Sequence, residues 1–186
     1  MRFKADGVNI LVKGNINEEE IVEWKKSSGY FSHENDLLTH KGFRFYNITV
    51  NGINLDVYVI HMDADDEVNV SKDVATRRSQ FEQLTNYIKL KHTTSPIIII
   101  GDANCCDKYE WDRENVENFV DDLNNIPYLY AKEAVPNNCG DYDKIFYINH
   151  ENGKYELKLK ECYFDSIELS DHHPLIATFD IVRRVG

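Results

Sequence analysis

The sequence predicts an α/β protein in which helices pack on sheets, and three observations carry that prediction. Two runs of alternating polar and apolar residues meet at Asn51-Gly52, the strongest short-range signal for a hairpin. The continuous apolar run Pro96-Ile97-Ile98-Ile99-Ile100-Gly101 is the pattern of a strand covered on both faces. Between them, residues 74–90 place Phe81, Leu84, Tyr87, Ile88 and Leu90 at helical spacing. A helix between two central strands, in a chain where strand patterns outnumber helical ones, gives layers of helix on sheet.

The remaining elements follow in order. Val8-Asn9-Ile10-Leu11-Val12-Lys13 reads as a strand. Residues 18–26 are polar with Ile21, Val22 and Trp24 interspersed, which suits a short helix or a surface excursion. Residues 43–50 and 53–60 are the arms of the Asn-Gly hairpin, and residues 111–123 are helical. Residues 145–148 and 155–163 read as a second hairpin turned around Glu151-Asn152-Gly153, and residues 175–181 close the pattern as a strand. No repeat, low-complexity run or linker interrupts the chain. Residues 1–186 therefore form one domain, long enough to bury a core.

Composition narrows the function classes. The net charge is −11 and no Lys/Arg cluster stands out, whereas broad phosphate contact with long duplex DNA calls for a basic face. A small phosphoester or a lipid head group suits this charge better. No stretch approaches the roughly 20 apolar residues of a membrane span, and Met1-Arg2-Phe3-Lys4-Ala5-Asp6-Gly7 lacks the apolar core of a signal peptide. Four cysteines, with Cys105 and Cys106 adjacent, have the spacing of neither a disulfide framework nor a zinc site. The expected setting is a reducing, cytoplasmic one.

Polar residues gather at the ends of the expected strands. His61 and Asp63 follow the second hairpin arm, and Asp102 and Asn104 follow the apolar run. Asp143 precedes residues 145–148, while Asp171 and His172 precede residues 175–181. If these strands are neighbours, the polar ends converge on one cleft, where sheet-based enzymes place their chemistry. Taken singly, each has an ordinary role: an Asp after a strand caps a helix, a lone His is a hydrogen-bonded core residue, and Gly-Asp-x-Asn is a turn. Other features have plain readings. Asp63-Ala64-Asp65-Asp66-Glu67 lacks the glycine and distal Glu of a calcium loop and reads as a solvated acidic loop. Cys105 and Cys106 are filler, and Tyr128 and Tyr130 pack in the core or at its rim.

In chain order, His61-x-Asp63-Ala64, Arg77-x-x-Gln80, Gly101-Asp102-Ala103-Asn104, Asp143-Lys144-Ile145 and Ser170-Asp171-His172-x-Pro174 resemble the endonuclease/exonuclease/phosphatase superfamily. That group includes DNase I-like nucleases, inositol-phosphate phosphatases and neutral sphingomyelinases. The resemblance covers residues 8–181. It implies a two-sheet DNase I-like sandwich with helices on the outer faces. It also implies a metal-dependent phosphoric ester hydrolase that uses Mg²⁺ or Mn²⁺. By the same resemblance Asp102 orients or deprotonates the attacking water, and Asn104 holds substrate phosphate or water. His172 faces the scissile phosphate, Asp143 fixes its tautomer, His61 is a second phosphate-facing histidine, and Asp171 is a metal ligand. Arg77 and Gln80 brace the sheet.

One departure from the family accompanies the match. Its metal-ligating Glu, with an Asn before it, lies on strands upstream of the segment that residues 8–16 resemble, and Asp6 is the only acid near that position here. The expectation is the C-terminal portion of the full fold, with half a metal site and an open sheet edge that another chain could cover. The substrate is a phosphoester, whether nucleic acid, lipid head group or small molecule. The alternative is a catalytically impaired domain that binds a phosphorylated ligand or a protein partner.

Overall fold

The structure is a computed structural model, and it describes residues 8–27, 41–64, 70–138, 142–167 and 170–184. Asp6 and Glu67 lie outside the described residues. The elements are β1 (Asn15–Glu23), β2 (Gly42–Val50), β3 (Ile53–His61), α1 (Val70–Lys91), β4 (Ile97–Asp102), α2 (Glu110–Asn124), β5 (Leu129–Glu133), β6 (Asp143–His150), β7 (Tyr155–Phe164) and β8 (Leu175–Arg183). Six strands form one sheet in the order β1-β2-β3-β4-β6-β5, and β7 and β8 form a second.

Alternation along the strands sorts side chains between two layers. Phe43, Phe45, Tyr58, Ile60, Ile97, Ile99, Phe146 and Ile148 meet Phe81, Leu84 and Ile88 of α1 and Phe119 and Leu123 of α2. Their alternates Tyr46, Ile48, Leu55, Val57, Ile98, Ile100, Ile145 and Tyr147 meet Leu157, Leu159, Phe179 and Ile181 of the second sheet. The result is a helix layer, a large sheet and a small sheet. Phe119 is its aromatic centre, stacked on Phe81 at 4.4 Å between ring centroids and edge-on to Phe146.

β3 and β4 are parallel, and α1 is the crossover between them, as a parallel pair requires. The β2–β3 hairpin turns at Asn51 and Gly52, with φ of 52° and 78°. Those angles belong to the turn whose twist suits the flanking strands. Nothing lies within 4 Å of a Cβ built on Gly52, so only the backbone conformation opposes a side chain there. Gly52→Ala is expected to cost about 1 kcal/mol, read as a lowered urea midpoint at unchanged m-value.

Three expected elements are corrected. Residues 18–26 are neither helix nor excursion: they belong mostly to β1, an edge strand paired antiparallel to β2. Its carboxylates are held by distant partners, Glu19 by Arg44 at 2.9 Å, Glu18 by Lys91 at 3.2 Å, and Glu20 by Lys91 and Tyr87. Residues 8–13 keep the alternation of a strand, with Val8 buried and Ile10 and Val12 against the second core layer, but they make no ladder. β6 and β7 do not form a hairpin. The turn at residues 151–153 instead carries the chain from the large sheet to the small one. Asn149 bridges that switch, its side chain bonding the backbone N–H and C=O of Leu157 at 2.7 and 3.0 Å. Tyr128, just before the edge strand β5, and Tyr130 on it are more than half exposed, at the rim rather than in the core. Among the described residues β8 pairs with β7 alone, and no helix is long and apolar enough to cross a membrane.

Candidate active site

Register across the large sheet brings the site together. His61 is opposite Asp102 in the β3–β4 pair, and Asp102 is opposite Asp143 in the β4–β6 pair. Three chemistry-bearing residues therefore stand in one row across three neighbouring strands. Alternation also fixes their face. His61 continues the set Val57 and Val59, Asp102 the set Ile98 and Ile100, and Asp143 the set Ile145 and Tyr147, all directed toward the small sheet. The loop entering β8 then lays His172 against the end of the row.

The turn after β4 is built by its own sequence. Gly101 has φ of 138°, and a Cβ there would lie 2.2 Å from the carbonyl oxygen of Ile60, so only glycine permits this approach of β4 to β3. Asn104 has φ of 49°, a left-handed conformation that Asn tolerates better than most residues. Its backbone N–H donates to Asp102 Oδ1 at 2.8 Å, closing an Asx turn. Its Nδ2 donates to the carbonyl of Met62 at 3.0 Å, tying the β4 turn to the end of β3. One oxygen of Asp102 is thus committed to the turn, and Oδ2 lies 3.7 Å from His61 Nε2.

His172 Nδ1 is 2.7 Å from Asp143 Oδ2. With Nδ1–H donating to the carboxylate, Nε2 is left to face the cleft. The hydrogen bond to Asp143, aided by the negative charge of Asp143, Asp102 and Asp171, raises the His172 pKa above the usual histidine value against an opposing effect of burial. Ser170 holds the backbone at this point: its Oγ accepts from the N–H of His172 at 3.1 Å and donates to its carbonyl at 3.0 Å. The ring of Tyr142 lies 6.3 Å from that of His172, centroid to centroid.

These side chains remain reachable from solvent, with 26% and 22% exposure at His61 and Asp102 and 34% and 22% at His172 and Asp143. A cleft of about 300 Å³ opens beside them, lined by Ile100, Gly101, Asp143, Lys144, Ser170, His172, His173, Pro174 and Leu175. It is large enough for a phosphate with a small substituent. Lys144 points to the opposite face, where it is buried between Asp107 and Glu133. Burial raises the carboxyl pKa of Glu133, and Lys144 only partly offsets it.

His61, Asp102, Asn104, Asp143 and His172 therefore lie at one end of one sheet face. Asp171 is exposed in the adjoining loop. Among the described residues no three His, Cys, Asp or Glu side chains cluster to hold a metal, so the donors around Asp171 do not fit a complete cation site. Asp63 is not part of a solvated loop: it is buried, and its backbone N–H donates to Gln80 at 3.0 Å. Residues 65–69 lie outside the described residues. Cys105 and Cys106 are buried, and burial pushes the Cys105 thiol up to about 12. Sequence reasoning gave no role to Ser170 or Tyr142, and only Ser170 is signalled, by its place in the Ser-Asp-His run.

No family profile and no curated protein matches the sequence. Solved structures do match the architecture. The beta toxin of Staphylococcus aureus superposes with a TM-score of 0.61 at 20% identity, over 89% of this chain and 65% of the toxin. The fold is a DNase I-like α/β sandwich. Within this DNase I-like fold, a humanized D. rerio TDP2 gives 0.60 at 15% identity, and sphingomyelinase C from Streptomyces griseocarneus gives 0.59 at 16%. Each comparison covers 89% of this chain and 65% of the other. The chain thus spans less than two thirds of the length of the structures it resembles.

Proposed function

We propose that this chain carries the site of a phosphoric ester hydrolase in which an activated water attacks phosphorus in line with the leaving oxygen. The observation that supports this reading above all is the row His61, Asp102, Asp143 with His172 closing its end. The likeness to the sphingomyelinase C and TDP2 structures adds to it. Asp102, with one oxygen anchored in the Asx turn, presents the other to a water and takes its proton. The water oxygen forms the new bond to phosphorus as the bond to the leaving oxygen breaks. His172, protonated and aimed by Asp143, gives the Nε2 proton to that leaving oxygen. His61 and the second N–H of the Asn104 amide bind the phosphoryl oxygens.

Asp171 is the carboxylate on which a divalent cation such as Mg²⁺ or Mn²⁺ would sit. A beta toxin variant of the same fold has been solved with bound magnesium ions. One exposed carboxylate is a poor site for a hard cation, which takes about six oxygen ligands. This donor set favours a second reading, a domain that binds a phosphorylated ligand without turning it over. The acidic surface favours a small phosphoester or a head group as ligand over duplex DNA, although TDP2 has been solved with a single-strand DNA product.

The deciding assay is hydrolysis of bis(p-nitrophenyl) phosphate by the chain, with and without Mg²⁺ or Mn²⁺, beside the His172→Ala variant. Slow, metal-stimulated release that falls by about 10²-fold or more in the variant is expected. Equal release by the variant removes His172 from the reaction. Phosphate-induced shifts of the histidine NMR signals without any release select the binding reading instead.

A further inference from the structure

α1 carries a charged side chain that the strand-end chemistry does not use. Arg77 is fully buried, and its Nη2 donates to Asp112 Oδ1 at 2.8 Å, an equally buried carboxylate in the first turn of α2. Removing two ions from water is costly even when they pair, and an apolar pair of the same volume often folds as well. The charge therefore has to be explained by something other than stability.

The outer atoms of the pair supply that explanation. Asp112 Oδ2 accepts from the backbone N–H of Cys106 at 3.0 Å, two residues beyond Asn104. Arg77 Nη1 approaches the carbonyl of Asp63 at 3.4 Å, two residues beyond His61. Gln80, one turn along α1, accepts from the N–H of Asp63 at 3.0 Å and donates to the carbonyl of Lys26 at 2.9 Å. Asn104 closes the circuit through its bond to Met62. The two loops joined in this way follow His61 and Asp102, the last residues of β3 and β4. The buried cation and anion thus sit behind the row of active groups, each holding one loop.

We propose that Arg77 and Asp112 are a positioning pair, which fixes the loop after β4 against the loop after β3 and so sets Asn104 and His61 relative to Asp102. The proposal rests on the phosphoesterase reading and deepens it. It also revises the expectation that Arg77 braces the sheet, because its partners are loops at the sheet's chemical end. An apolar pair would fill the space but could not supply directed hydrogen bonds to Cys106 and Asp63. Misplacing reacting groups by even a fraction of their contact distance lowers the rate of the bound complex more than it weakens binding.

The test is the double variant Arg77→Met/Asp112→Leu, followed by thermal melting, by kcat and KM on bis(p-nitrophenyl) phosphate, and by amide hydrogen exchange. A folded variant is expected to lose about tenfold or more in kcat, with a smaller rise in KM because Asn104 and His61 also hold the phosphoryl oxygens. The amides of Cys106 and Asn104 should exchange faster while those of residues 97–99 in β4 keep their protection. Parent kcat together with parent exchange at Cys106 and Asn104 would overturn the proposal, and so would exchange that quickens evenly through sheet and loops. Arg77→Lys keeps the charge but not the two-pronged geometry. It should show the same changes at smaller size, and it decides the matter by the same criteria if the double variant fails to fold. A parent chain without turnover would count against the phosphoesterase reading, and the exchange pattern would then decide the positioning pair alone.

Discussion

Asp102→Asn is expected to abolish phosphodiester hydrolysis, with a loss on the order of 10³-fold in kcat, within the range that a positioned base contributes. The substitution is close to isosteric, and its amide oxygen can still accept the backbone N–H of Asn104 that closes the turn at 2.8 Å. The left-handed Asn104, the contact of Gly101 with Ile60 and the row across β3, β4 and β6 should all persist. What disappears is the carboxylate oxygen 3.7 Å from His61, and with it the acceptor for a proton from water. Stability should therefore change little while activity collapses, and a thermal melt beside the rate measurement separates the two. A variant within a few-fold of the parent rate would mean that the proton leaves by another route.

The turns that place the candidate site are legible in the sequence more fully than parts of the framework around them, for physical reasons. Gly-Asp-x-Asn and Ser-Asp-His are local devices: an Asx turn and a hydroxyl that bonds the backbone two residues on, both closed within three positions. The Asn-Gly hairpin is local in the same sense, as is the continuous apolar run of β4. β1 was misread because it is an exposed edge strand rich in glutamate, whose balancing partners Arg44, Tyr87 and Lys91 lie 25 to 73 residues away. The false hairpin at residues 151–153 has true turn chemistry. Whether the strands after such a turn pair or change sheets depends on which faces are apolar, and Tyr147 and Phe179 meet only across the sheets, at 5.2 Å. Asp112 was invisible because an acid in the first turn of a helix ordinarily complements the helix dipole in solvent. Its burial against Arg77 is set by tertiary packing alone.

The same distinction explains why the row at the strand ends is so compact. Parallel pairing of β3 with β4 and antiparallel pairing of β4 with β6 put a C-terminal end, a C-terminal end and an N-terminal end side by side. The strand ends themselves then present an imidazole and two carboxylates. His172 arrives separately, from the loop entering β8 of the other sheet, so its contact with Asp143 is a joint between the two layers.

Asp143→Asn tests that joint through pH. In the parent, Asp143 holds the His172 pKa above the ordinary histidine value, so the imidazolium persists to higher pH. In the proposed mechanism a protonated His172 is the acid, so activity should fall on the alkaline side as His172 loses its proton. Without the carboxylate that fall should move to lower pH, with kcat about 10²-fold lower even on the plateau because the ring is no longer aimed. Titration of the His172 ring by NMR should move in the same direction as the rate profile. The stability linkage has a defined sign as well. A pKa raised on folding contributes stability that is fully present below the unfolded value near 6.5. That contribution is lost as pH rises through the folded value. The stability difference between parent and Asp143→Asn should therefore be larger at pH 5.5 than at pH 8.5, comparable to the cost of one partly exposed ion pair. A variant whose alkaline limb stays in place would show that Asp143 orients the imidazole without tuning it. An acid-side limb that moves to lower pH in the variant would instead make His172 a base.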